Sequence, residues 1–160
     1  MVGGFLGIIG AVIQEGQSLN FLLVIVVGAP IIEEAMKPIG VWIALIRWPQ
    51  VFQSQLFTAL LSALGGLVFG IIESLIYVTV YVDDPPDWFI AYRFSVTLGL
   101  HATASYLVGL GINYKVIDWA QGRCPLPKSS RNYYIAACVL HGVFNATALV
   151  LGIAGVFDVE

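Results

Sequence analysis

Charged residues are scarce in this sequence. Seven Lys and Arg and ten Asp and Glu occur among 160 residues, so 11% of the chain is charged while 59% is hydrophobic. The mean hydropathy is +0.89. Soluble globular domains carry about 25% charged residues, so this composition excludes that class. The basic residues are scattered and the net charge is only −3, which indicates no nucleic-acid partner.

Cysteine is rarer still, with only Cys124 and Cys138. These two lie in segments expected at different membrane depths, so we predict two free thiols and no disulfide framework. No basic residues precede the apolar N-terminal stretch, which argues against a cleaved signal peptide. The HExxH pattern of a common zinc-protease helix is also missing.

The apolar residues form four runs long enough to cross a bilayer. A spanning helix needs about 20 mostly apolar residues, which predicts spans at residues 21–46, 56–82, 89–112 and 133–157. The shorter run from Val2 to Ile13 predicts a truncated or interfacial N-terminal helix. We therefore expect an all-α fold, a polytopic transmembrane helical bundle with four full spans plus a short N-terminal helix, forming a single domain over residues 1–160.

The loop charges predict an orientation. Cytoplasmic loops are enriched in Lys and Arg, so the loop at Arg47 and the basic loop 113–132 are expected in the cytoplasm. The acidic turn 83–87 is then expected outside. This alternation predicts an integral membrane protein whose C-terminus is extracytoplasmic.

Two adjacent carboxylates interrupt the first apolar run. Glu33 and Glu34 lie near its middle, with Lys37 one turn later, and Pro38 is expected to kink the helix. A charge at bilayer depth costs about 2.5–3.5 kcal/mol on insertion scales. An uninvolved spanning helix has no reason to hold such a pair. The alternative interpretation is a structural salt bridge with Lys37.

The other three runs carry further polar side chains near one level. These are Glu73 in the second run, Arg93, His101 and Ser105 in the third, and His141 and Asn145 in the fourth. Singly, each could be a hydrogen bond that joins two helices. Together they place a titratable or amide group on every predicted span, which indicates an enzyme site inside a membrane.

The order and spacing of these residues resemble the PrsW family of intramembrane proteases, within the superfamily of CAAX prenyl endopeptidases and bacteriocin-processing enzymes. The motifs are Glu-Glu-x-x-Lys, Phe-x-x-x-Glu, the arginine with His-x-x-x-Ser, and His-x-x-x-Asn, and they cover residues 28–150. Two features depart from relatives. The region before Glu33 is shorter than usual in the family, and Glu73 stands where the CAAX enzymes carry histidine.

The resemblance implies an endopeptidase that hydrolyses a peptide bond of a membrane-bound protein, for example a single-span regulator such as an anti-sigma factor, in a prokaryotic cell membrane. In the version that the CAAX relatives imply, Glu33 is the general base that activates water. His141 and Asn145 would stabilise the oxyanion. His101 or Glu73 would orient the water or protonate the leaving amine. Supporting roles would fall to Glu34, Lys37, Arg93 and Ser105, and the two adjacent glutamates could exchange roles.

A zinc enzyme is the main alternative. Glu33, Glu73, His101 and His141 would then supply nitrogen and oxygen ligands. We favour the version without a cofactor, because only composition supports Zn²⁺. A non-catalytic membrane scaffold and a proton or cation carrier are two further hypotheses. A carrier would be expected to show paired broken helices or an inverted repeat, and the sequence has only one proline-interrupted run.

Overall fold

The computed structural model describes residues 23–52 and 54–153. All regular secondary structure in these residues is helical, which confirms the all-α prediction. The predicted helix from Val2 to Ile13 lies outside the described residues.

The first apolar run is broken in the middle. A π-helical turn, Val24–Gly28, leads into α1 (Ala29–Met36), and α2 (Ile39–Arg47) begins after Pro38. Proline has no N–H to continue the helical hydrogen bonds, and the chain restarts on the Pro38 carbonyl, which accepts from the amides of Val41 and Trp42. The predicted interruption at Pro38 is therefore confirmed, and it leaves two helices of eight and nine residues.

The remaining elements are longer. A 3₁₀ turn, Pro49–Val51, precedes α3 (Gln55–Ile76), which continues as a π-helical turn, Tyr77–Tyr81. The next helix has three parts, α4 (Asp87–Tyr92), a π-helical turn (Arg93–Thr97) and α5 (Leu98–Gly111). The short α6 (Tyr114–Ala120) and the long α7 (Lys128–Ile153) follow.

By length and composition, two described helices can cross a membrane, Gln55–Tyr81 and Lys128–Leu151. A third span results if Asp87–Gly111 and Tyr114–Ala120, which are bent by 76°, count as one. The prediction of four full spans is therefore not confirmed. The physical reason lies in the first run, where Pro38 divides the apolar sequence into two helices too short to span singly.

The bundle separates an apolar end from a polar one. Val41 and Leu45 of α2, Val108 and Ile112 near the end of α5, and Ala137 of α7 belong to one buried apolar cluster. The buried charged and imidazole side chains belong to α1, to the residue after it, to the turn before α5, to α5 and to α7; they are Glu33, Glu34, Lys37, Arg93, His101 and His141. Helix α5 packs against both α3 and α7, so it carries its central residues to the middle of the bundle.

Candidate active site

The acidic pair of α1 is buried together with its lysine. Glu33, Glu34 and Lys37 are 5%, 0% and 5% exposed. The Lys37 Nζ donates to Glu34 Oε1 at 2.5 Å and lies 3.4 Å from Glu33 Oε2. One lysine therefore bonds one glutamate and flanks the other, as the helical spacing predicts.

His101 links this group to α3 and to the turn before α5. The Lys37 Nζ lies 2.7 Å from His101 Nδ1, and His101 Nε2 lies 2.8 Å from Glu73 Oε2. An ammonium group can only donate, so Nδ1 accepts and Nε2 carries the hydrogen that is donated to Glu73. Arg93 Nη2 donates to the same Glu73 oxygen at 2.8 Å. Both nitrogens of His101 are thus engaged.

His141 approaches the acidic pair from α7. Its Nδ1 lies 2.8 Å from Glu34 Oε1, and its Nε2 lies 3.8 Å from Glu33 Oε2. A carboxylate oxygen accepts, so Nδ1 is the donor of that bond. The His141 and His101 rings meet edge to face, with centroids 5.1 Å apart. His141 Nε2 is therefore the imidazole nitrogen left to face Glu33.

A cavity of about 470 Å³ opens beside these groups. Its polar lining includes Glu33, Glu73, Arg93, Thr97, His101, His141 and Asn145. The rest is mostly apolar or aromatic and includes Tyr77, Tyr81, Phe89, Tyr92, Leu100 and Phe144. A mostly apolar cleft with a few convergent polar groups has the character of a ligand or substrate site.

The other predicted site residues lie at different depths around this cavity. Glu34 and Lys37 are behind the lining. Asn145 lines the cavity, but its Nδ2 donates to the Ile25 carbonyl at 2.9 Å, which leaves the second N–H of the amide. Ser105 is not part of the lining and is buried between α5 and α3, beside Gly66. The structure thus brings all predicted residues except Ser105 into one network or cavity wall.

Two side chains in this region have no place among the residues predicted from sequence. Thr97 is 2% exposed and lines the cavity, and its hydroxyl has no hydrogen-bond partner among the described residues. Its position four residues before His101 was the available signal, because that spacing shares a helix face. The Tyr77 ring lies 4.0 Å from the Arg93 guanidinium carbon, a contact for which the sequence carries no signal.

The site contains residues of the types that bind a divalent metal ion. Ligand atoms of Glu33, His101 and His141 lie within 4.8 Å of one another, and Glu73 is not in this group. These are zinc ligands in kind, but donors around tetrahedral zinc lie about 3.3 Å apart. The Lys37 Nζ also stands 2.7 Å from His101 Nδ1. The residues therefore fit a metal in type, but not in the arrangement that the structure has.

The fold and the site define a helical membrane protein with a buried carboxylate and imidazole centre beside a cavity. The family model for PrsW family intramembrane metalloproteases matches residues 2–159, and the chain belongs to the PrsW family. The resemblance drawn from the motifs is thereby confirmed. No curated protein and no solved structure gives a significant match. Family membership supports an integral membrane hydrolase that performs intramembrane proteolysis on a membrane-protein substrate.

Proposed function

We propose that this chain is a metal-independent intramembrane endopeptidase in which Glu33 activates the attacking water. One observation carries the proposal. Glu33 lines the cavity, whereas Glu34 lies behind the lining, and the Oε2 atoms of both are buried without a hydrogen bond from the described residues. Glu34 Oε1 accepts from both Lys37 and His141. Glu33 is thus the better placed of the two for a general base.

The proposed reaction keeps its protons on named atoms. Glu33 accepts a proton from water as the water oxygen bonds to the peptide carbonyl carbon. The carbonyl oxygen becomes an oxyanion. When the C–N bond breaks, Glu33 returns that proton to the leaving amine nitrogen, so the carboxylate is regenerated.

The oxyanion needs donors, and two cavity groups support that role. Asn145 retains one amide N–H beyond its bond to the Ile25 carbonyl. His141 Nδ1 already donates to Glu34, so a doubly protonated His141 would donate from Nε2 as well. Removing one oxyanion donor typically lowers kcat about 10²- to 10³-fold.

We propose that His101 positions other groups and does not transfer a proton. Its Nδ1 faces Lys37 and its Nε2 faces Glu73, so neither nitrogen is available to a leaving group in this arrangement. His101 and Glu73 would then fix the cavity wall, with Arg93 holding the far side of Glu73. Ser105, away from the cavity, would pack α5 against α3.

A zinc-dependent protease is the second candidate. The observation in its favour is the group of Glu33, His101 and His141, together with the description of the family. These three would hold the ion, which would supply Lewis-acid activation of water. The ion would require Lys37 to leave His101, because both cannot use the Nδ1 lone pair.

The first experiment compares Glu33→Gln with wild type. Terminal-peptide mass spectrometry of membranes containing either protein should reveal cleavage sites in membrane proteins that depend on wild type. The variant should lower cleavage at least about 10²-fold, the usual contribution of a general base. Glu34→Gln is the matched control, and it should retain more activity than Glu33→Gln. Full activity of Glu33→Gln would remove Glu33 from the mechanism.

The second experiment separates the two catalytic types. A substrate identified by the mass spectrometry is reconstituted with purified protein in liposomes and treated with 1,10-phenanthroline or EDTA. Metal-independent cleavage should persist. Stoichiometric zinc whose removal abolishes cleavage, with recovery on adding zinc back, would instead establish the zinc enzyme.

The identity of the substrate, the kind of membrane and the orientation of the chain in it are proposals as well. We propose that the substrate is a single-span regulator such as an anti-sigma factor. We also propose that the membrane is prokaryotic and that the C-terminus is extracytoplasmic. The orientation follows from the basic loop 113–132 and the acidic turn 83–87. Cysteine labelling of each loop from either side of a sealed vesicle measures it directly.

A further inference from the structure

The Lys37 ammonium lies among groups of the kinds that usually bind a cation. Its ammonium lies 2.5 Å from Glu34 Oε1, 2.7 Å from His101 Nδ1 and 3.4 Å from Glu33 Oε2. It also stands over the Phe69 ring, 4.5 Å from the centroid. Two carboxylate oxygens, an imidazole lone pair and an aromatic face converge on one positive charge. The side chain is completely enclosed.

This arrangement overlaps the candidate metal ligands. Glu33 and His101 are two of the three residues in that group, and both face the Lys37 ammonium. His101 Nδ1 cannot accept from the ammonium and ligate a metal at the same time. With Nε2 donating to Glu73, His101 has no lone pair left for an ion.

We propose that Lys37 occupies the cation position of this site, so that a divalent ion binds Glu33, His101 and His141 only when the Lys37 side chain withdraws. Lys37 is then a positioning residue with two effects. It holds His101 in the tautomer that donates to Glu73, and it opposes a metal by occupancy and by charge repulsion. The inference deepens the proposed function, because it gives a physical reason for a metal-independent site.

The backbone favours this placement. Lys37 follows the last residue of α1 and precedes Pro38, so its side chain leaves the helix end at the level of His101. The Lys37 carbonyl lies against Gly65 of α3, where a Cβ would come within 2.9 Å of the carbonyl oxygen. This close approach fixes the end of α1 against α3 and keeps the ammonium in the bundle.

The test measures metal affinity rather than proteolysis. Co²⁺ is titrated into purified protein in detergent micelles, and the visible absorption of bound Co²⁺ reports affinity and geometry. Lys37→Met keeps an unbranched side chain and removes the charge. It should bind Co²⁺ at least about tenfold more tightly than wild type, because a nearby positive charge is lost. Lys115→Met, at an exposed position, is the control and should match wild type.

A second variant covers the case in which Lys37→Met does not fold because Glu34 loses its partner. The double variant Lys37→Met with Glu34→Gln removes both charges of that pair. It should show the same gain in Co²⁺ affinity. Adding Glu33→Gln to whichever variant folds should abolish the gain, which ties the bound ion to this site.

Two results would overturn the inference. One is wild-type protein that binds Co²⁺ as tightly, and with the same spectrum, as the Lys37→Met variants. The other is an increase in affinity that survives Glu33→Gln. Neither result depends on cleavage. The proposed function fails separately, if Glu33→Gln remains active or if chelation abolishes cleavage, so the two failures are distinguishable.

Discussion

Replacing Gly66 of α3 by alanine should disturb the site, because Gly66 packs against α5 beside His101. A Cβ at Gly66 would lie 2.6 Å from Ser105 Oγ and would clash with the His101 carbonyl oxygen. A side chain can rotate away from such a clash, but a backbone carbonyl moves only with its helix. Gly66→Ala should therefore push α5 away from α3 at the residue that bonds Glu73.

The size of the effect follows from a comparison with Gly99. A Cβ at Gly99 meets nothing within 4 Å, so Gly99→Ala adds only the helix preference of alanine over glycine, about 0.5–1 kcal/mol. Gly66→Ala gains the same preference and also suffers overpacking, which costs about 1–3 kcal/mol. The preference cancels in the comparison. We expect Gly66→Ala to be about 1–3 kcal/mol less stable than Gly99→Ala.

The assay is unfolding in mixed micelles by increasing SDS, followed by circular dichroism, with cleavage measured in parallel. Gly70→Ala should fall between the other two, because its Cβ would meet side-chain atoms of His101 and Leu98 at 3.0 Å. Cleavage should drop most in Gly66→Ala, since the His101 Nε2 to Glu73 Oε2 distance of 2.8 Å cannot survive a helix shift unchanged. Equal stability of the Gly66 and Gly99 variants would refute this account of the packing.

Two further variants test the periphery of the site. Arg93→Ala leaves the part-buried Glu73 carboxylate with its contact to His101 but without its arginine, and losing a hydrogen-bond partner of this kind costs about 1–3 kcal/mol. Arg93→Lys should recover part of that loss without restoring the stacking on Tyr77. SDS unfolding of both variants measures the difference, and an Arg93→Ala protein as stable as wild type would contradict it. Ser54→Ala removes the N-cap that accepts from the Phe57 amide. It should cost about 1 kcal/mol with cleavage unchanged, and a large loss of cleavage would show that the start of α3 affects the site.

The sequence predicted that these polar groups lie together, because placing each of them in lipid costs free energy. Glu33, Glu73, His101 and His141 stand in four separate apolar runs, and although each alone could join two helices, together they indicate one site. The structure brings all four to one cavity. The break at Pro38 was equally predictable, because proline removes a helical hydrogen bond whatever surrounds it.

Contacts between distant parts of the chain could not be predicted in this way. Lys37 and His101 are 64 residues apart, and no periodicity relates them. Asn145 donates to the Ile25 carbonyl, which becomes accessible in a π-helical turn that hydropathy does not reveal. The predicted number of four spans was not confirmed for a related reason. The length of an apolar run does not show that Pro38 divides the first run into two short helices.

Charge balance connects the buried network to the proposed chemistry. Among the described residues, Glu33, Glu34 and Glu73 face two full cations in this cluster, Lys37 and Arg93. With neutral imidazoles, one negative charge is left over. Lys37 bonds Glu34 and Arg93 bonds Glu73, whereas the Lys37 Nζ lies 3.4 Å from Glu33 Oε2, so Glu33 is the least closely paired of the three carboxylates.

An incompletely paired carboxylate in a buried site is costly at rest. In the proposed reaction, proton transfer from water neutralises Glu33 at the moment when the carbonyl oxygen becomes negative. The net charge of the site does not change, but its location moves from Glu33 toward the remaining amide N–H of Asn145. An interaction that is poor in the resting site and better in the transition state lowers the barrier. The weak pairing of Glu33 is therefore what a general base in this position requires.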